Sequence, residues 1–103
     1  MDWERLSSRL GEIITRHGDR LLRLKGLIRT IGDQRPLVIH GVQRVFHRPV
    51  RLDRWPRQPA TSIVVIGDKR SGTAIELIAA ALADAADAGS SHLVRRGPTF
   101  ATA

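Results

Sequence analysis

A chain of 103 residues with 42% hydrophobic side chains, a net charge of +7 and no cysteine is already narrowly bounded. Its size is that of one domain, which buries roughly 60–70% of its unfolded surface without covalent staples. Disulfides, thiolate metal sites and cysteine nucleophiles are excluded. No apolar run approaches the ~18 residues of a membrane span, and the N-terminus has no signal-peptide core, so a cytoplasmic location is expected.

Fifteen of the seventeen basic residues are arginine. A basic balance suits nucleic acid or an acidic partner. The cations are scattered along the chain, however, and the aromatics are only Trp3, Phe46, Trp55 and Phe100, too few and too dispersed for a base-stacking pattern. A small nucleic-acid-binding module therefore stands as the alternative to protein recognition.

In chain order, Trp3, Leu6, Leu10, Ile13, Ile14 and His17 recur at three- and four-residue steps, predicting a helix over 2–17. Asp2 is its expected N-cap and Gly18 its C-terminal glycine; Gly11, costly in mid-helix, implies close packing there. Two β-prone runs, 21–29 and 37–46, follow, separated by a turn-rich stretch, Ile31 to Pro36, and together they read as a hairpin. In the first run Leu22, Leu24, Gly26 and Ile28 share one face, while Arg23, Lys25 and Arg29 mark the other as a solvated face or a docking patch. The second run is apolar on both parities, which predicts a strand covered twice, in the middle of the sheet.

Pro49, Pro56 and Pro59 interrupt the next stretch, where Trp55 is expected to cap one end of the core. Ser62–Gly67 reads as a fully buried strand. A helix from about Thr73 to Asp87 should follow, opened by a Thr73–Glu76 capping box, with Ile75, Ile78, Leu82 and Ala85 as its buried stripe. From Gly89 the chain has no period and many breakers, predicting a domain over 1–88 and a disordered tail over 89–103. The expected fold is α+β: an antiparallel three-stranded sheet in α-β-β-β-α order, with two helices on one face.

Two groups of residues invite chemistry. Gly67 and Gly72 have phosphate-loop spacing, but Thr73-Ala74 stands where the Lys-Ser/Thr pair is required, and Lys69 lies inside the loop. A strand-to-helix turn is the better reading. His40 and His47 are the candidate metal ligands. A site needs three or four donors, and seven residues of strand span ~23 Å, so they cannot share an ion unless the chain bends sharply after Phe46. His17 suits a helix C-terminus.

The blocks LLRLKGLIRT, RPLVIHGVQRVFH, RLDRWP and SIVVIGD, in this order, closely resemble the C-terminal domain of CobW-type metal-handling GTPases. The resemblance covers roughly residues 3–85, and its motif positions are Leu24, Lys25, Gly26, His40, Gly41, Val42, Gln43, Phe46 and His47. It implies a ferredoxin-like α+β module serving a CobW-like GTPase domain or a metal-requiring client, in metal homeostasis or a cobalamin-related pathway. It also brings zinc or cobalt into view at His40 and His47, as an independent histidine-based carrier. No GTPase domain is present in the sequence. Arg44 stands where relatives often carry histidine, and no strand precedes the first helix where the family has one. An uncovered sheet edge, able to pair with a second copy, is then expected.

Overall fold

The Asp2 carboxylate accepts the backbone N–H of Arg5 at 3.2 Å and opens helix α1, Trp3–His17, as its sequence requires. Leu6, Leu10, Ile13 and Ile14 form its buried stripe, and burying each contributes about 1.5–3 kcal/mol. The computed structural model describes residues 1–68, 70–87 and 91–97. Gly11 lies on the wet side of α1 with nothing within 4 Å of a Cβ placed there, contrary to the expected close packing. Gly11→Ala should therefore raise stability by about 0.5–1 kcal/mol, visible as a higher melting temperature. Gly18 is not a left-handed cap either: its φ is −57°, in the right-handed region. Glycine is needed because a side chain there would collide with Arg44 on the approaching hairpin turn.

A short 3-10 turn, Gly18–Arg20, leads into β1, Leu21–Ile28, and the predicted hairpin is completed by β2, Leu37–Val42. Leu24 pairs with Gly41, Gly26 with Ile39 and Ile28 with Leu37. Four further strands complete a mixed sheet: β3 (Val45–Phe46), β4 (Val50–Arg51), β5 (Thr61–Gly67) and β6 (His92–Arg96). The order is β3-β2-β1-β5-β6, with β4 also pairing β2. Helix α2, Gly72–Ala85, links β5 to β6, which runs parallel to it.

In place of the expected three antiparallel strands there are six among the described residues, one of them parallel. The middle of the sheet is β1, not the 37–46 run, because that run folds back on itself at residues 43–44, between β2 and β3. β6 lies in the stretch expected to lack regular structure; residues 89, 90 and 98–103 of that stretch fall outside the described residues.

Both helices cover one sheet face only. Leu24, Ile28, Leu37, Ile39, Ile63 and Val65 meet Leu6, Leu10, Ile78 and Leu82 in one core. A bulge between Leu21 and Arg23 lets Leu21 take the buried place expected of Leu22. β5 alternates buried and half-buried positions, so it is covered once rather than twice. α2 starts at Ser71 with no side-chain cap: the Ser71 hydroxyl instead donates to the Asp68 carbonyl oxygen at 2.7 Å, so the predicted Thr73–Glu76 box is not what opens the helix. Its buried stripe is Ala74, Ile78, Ala81, Leu82 and Ala85, with Ile75 only partly covered.

The connection between β1 and β2 turns at Gly32, whose φ is +87°. Arg51 holds it down by donating to the Arg35 carbonyl oxygen at 2.8 Å and the Thr30 hydroxyl at 2.6 Å. Trp55 belongs to this turn and not to the end of the core: its indole N–H donates to the Gln34 carbonyl oxygen at 2.7 Å. Asp33 accepts from the Arg35 side chain and backbone, which hold its carboxyl down from an ordinary 3.8 to about 2. A depressed carboxylate contributes stability above its unfolded value and loses it as pH falls through its folded one. The melting-temperature gap between the parent and Asp33→Asn should therefore narrow as pH drops from about 4 to about 2. The gap is small because the pair is solvent-accessible and screened.

Candidate functional site

Among the described residues the sheet face opposite the helices is open, and the strand register sets out what it displays. One transverse row reads His40, Lys25, Val64, Arg95 across β2, β1, β5 and β6. The next reads Val50, Val38, Leu27, Ser62, Leu93. Beside them Arg23 pairs with Ile66. The alternation of β1 places this set outward, because Leu24, Gly26 and Ile28 are committed to the core on the other side. A shallow depression of about 930 Å³ runs over the face, lined among others by Arg23, Lys25, Leu27, Val38, His40 and Val64.

Two exposed aliphatic residues of the face stand out: Val50 at 55% and Leu93 at 53% relative exposure. Val42 and Val45, paired at the hairpin end, are exposed as well. Of the apolar second parity of the 37–46 run, Val38 and Val42 are therefore surface and not a second core contact, whereas Phe46, beyond the turn, packs against the core. Arg23 and Lys25, named from the sequence as a docking patch, lie on this face, whereas Arg29 is exposed just beyond the end of β1. Sequence reasoning placed Leu27 with Arg23 and Lys25 on this face, but missed Val38, Val64 and Ile66 as members of the same surface, and Arg95 and Leu93 entirely. The signal was present in the regular alternation of the first strand.

The charges are distributed unevenly over the molecule. Arg5 and Arg9 reach Asp84, Arg16 reaches Glu12, Arg44 reaches Asp19, and Arg20 and Arg70 reach Asp68. Arg23, Lys25 and Arg95 have no acidic partner among the described residues. None of the residues in the rows is acidic, so the face carries uncompensated positive charge.

His40 and His47 come together, contrary to the separation inferred along a straight strand. The β2–β3 turn, placed before Val45 instead of after Phe46, folds the chain so that the His47 N–H donates to the His40 carbonyl oxygen at 3.0 Å. The two rings stack with centroids 4.3 Å apart and planes 13° from parallel. Parallel stacked imidazoles aim their nitrogen lone pairs side by side, not at one point between them. No cluster of three or more His, Cys, Asp or Glu suited to a metal exists among the described residues. This donor set does not fit zinc or cobalt, which take four ligands in tetrahedral array or more.

The Gly67–Gly72 turn is also not a phosphate cradle. The Asp68 carboxylate accepts the Arg70 backbone N–H at 2.7 Å, placing negative charge where a phosphate would have to sit. A Cβ on Gly67 would lie 2.5 Å from the Ser71 hydroxyl oxygen and 2.8 Å from the Arg20 carbonyl oxygen, so close packing accounts for that glycine. Lys69 lies outside the described residues. His17 stands in the last turn of α1, where a cation is favoured by the helix dipole.

A family model described as "Cobalamin synthesis protein cobW C-terminal domain" matches residues 1–86, which reach from α1 to the end of α2. No curated protein and no solved structure matches the chain.

Proposed function

Because the chain belongs to the family of CobW C-terminal domains, we propose that it is a non-catalytic accessory domain of a CobW-type metal-handling GTPase system, acting by protein recognition. The observation that carries this reading is the one-sided sheet: two helices roof one face and leave the other as a contiguous apolar and basic surface. A face of that composition fits a recognition role better than turnover, since Arg23, Lys25, His40 and Arg95 are arranged around aliphatic side chains with no general acid–base pair among them. The partner is a CobW-like GTPase domain or a metal-requiring client. No helix among the described residues is long and apolar enough to cross a membrane, which accords with a cytoplasmic setting for that partnership.

Calorimetric titration of the chain with a separately produced CobW-type GTPase domain tests the proposal. Saturable binding is expected. Absence of binding, with GTP turnover unchanged by the added chain, would contradict it. A nucleic-acid role draws on the same positive charge, but among the described residues the open face carries no Phe, Tyr or Trp on which bases could stack.

A further inference from the structure

We infer that the open sheet face seats an acidic amphipathic helix supplied by a partner protein; this rests on the accessory-domain reading and names the chemistry its surface takes. Three observations converge on that occupant. First, Lys25 and Arg95, with His40 between Lys25 and the hairpin edge, form a transverse row whose cations have no carboxylate partner among the described residues. Arg23 adds a fourth basic group next to the row. Elsewhere on the molecule the exposed arginines of α1 meet Asp84 and Glu12. The face therefore lacks the anionic complement that the arginines of α1 have.

Second, the cations alternate with a second row that is aliphatic apart from Ser62: Val50, Val38, Leu27 and Leu93. A free carboxylate or a phosphate would satisfy the charges and leave these side chains in water. A peptide with one apolar and one acidic flank covers both. Third, the spacing suits a helix. Adjacent strands lie about 4.8 Å apart, close to the 5.4 Å pitch of an α-helix. Carboxylates two turns apart on a helix laid across the strands would then meet Lys25 and Arg95, which flank Val64 in the row, with Leu or Ile at the neighbouring i+3 and i+4 positions entering the aliphatic row.

The same observations weigh against the other occupants. A second copy placed face to face would oppose positive charge to positive charge. Single-stranded nucleic acid would find phosphate contacts but, among the described residues, a single ring, His40, amid aliphatic side chains and Ser62 beneath its bases.

The test is binding of a fluorescent peptide of about fifteen residues, helical, with Leu on one flank and Glu on the other, to the full chain, read by anisotropy at physiological salt. Its counterpart with Lys in place of Glu, and a single-stranded oligonucleotide, are the comparison probes. The Glu/Leu peptide should bind at least tenfold more tightly than either. The double variant Arg23→Glu/Lys25→Glu, altered only at exposed positions and checked for an unchanged circular dichroism spectrum, should lose at least tenfold in affinity. Arg5→Glu/Arg9→Glu on α1 should bind as the parent does. Equal binding of the two peptides, preference for the oligonucleotide, or indifference to the Arg23/Lys25 reversal overturns the proposal. A GTPase domain that binds the Arg23→Glu/Lys25→Glu variant as well as the parent would also overturn it, while leaving the accessory role standing. Peptide binding at this face without any affinity for a GTPase domain would support the proposal and remove the accessory role.

Discussion

Gly26→Val is expected to be the most damaging single substitution in the domain, costing about 3 kcal/mol or more and leaving much of the chain unfolded at 37 °C. Gly26 lies in β1, the middle strand of the sheet, and a Cβ there would sit 2.8 Å from the Ser62 carbonyl oxygen and 2.9 Å from Ile63 Cγ1. The first obstacle is backbone, engaged in the β1–β5 ladder, so relief requires the two strands to separate. The second belongs to a residue with 0% exposure at the centre of the core. Neither can yield by a rotamer change alone. Gly72→Ala, at a site with nothing within 4 Å, is the matched control and should leave the melting temperature within a degree or two. A Gly26→Val protein melting with the parent would show that β1 and β5 are not packed as described. The glycine of the LKG motif is thus required by sheet packing, independent of any ligand.

The second large effect distinguishes the two faces of one strand. Ile39, 0% exposed, points into the core from β2, whereas its neighbour Val38 is half-buried on the open face. Ile39→Ala should cost about 2–5 kcal/mol through lost burial and the cavity left behind. That lowers the melting temperature by about 10 °C or more for a domain of this size. Val38→Ala should cost under about 1 kcal/mol, because little of its surroundings is closed off. Equal losses at both positions would mean that the sheet is covered on both sides, and the recognition surface would disappear with that result.

The same pair of residues shows where the sequence was legible and where it was not. Alternation along 21–28, flanked by a Gly32 turn, was enough to locate the hairpin, because the period of two is imposed by the pleat itself. The α1 stripe and its Asp2 cap were equally plain, each set by local rules. In 37–46 the pattern misled, since an apolar second face has the same sequence signature whether it meets a helix or awaits a partner. Val38 is half-buried and Val42 is 41% exposed, so before the turn it was the latter, while Phe46 beyond it packs against the core. The two-residue strands β3 and β4 are too short to carry any period, and they exist only because β2 offers them its edge. β6 is a strand by virtue of pairing with β5 and has a single partly buried side chain, Val94, to mark it.

The histidines failed for a related reason. Distance along a strand was the right ruler only if no turn intervened, and Gln43, at φ +54°, marks the turn that did. Their proximity does not make a ligand set, because the stacked rings converge on no common point and no third donor joins them among the described residues. Gly18 repeats the lesson at a helix end: its position fitted a familiar capping role, yet the cause is the approach of Arg44 from a segment 26 residues later in the chain. Long-range contacts of this kind leave no local trace.

Backbone amide shift mapping of the isotope-labelled chain, during addition of a CobW-type GTPase domain, tests the recognition surface most directly. The account predicts changes concentrated at Arg23, Lys25, Leu27, Val38, His40 and Val64, with the exposed side of α1 around Arg5, Glu12 and Arg16 undisturbed. Shifts confined to the outer surfaces of α1 and α2, or none at saturating partner, would contradict it.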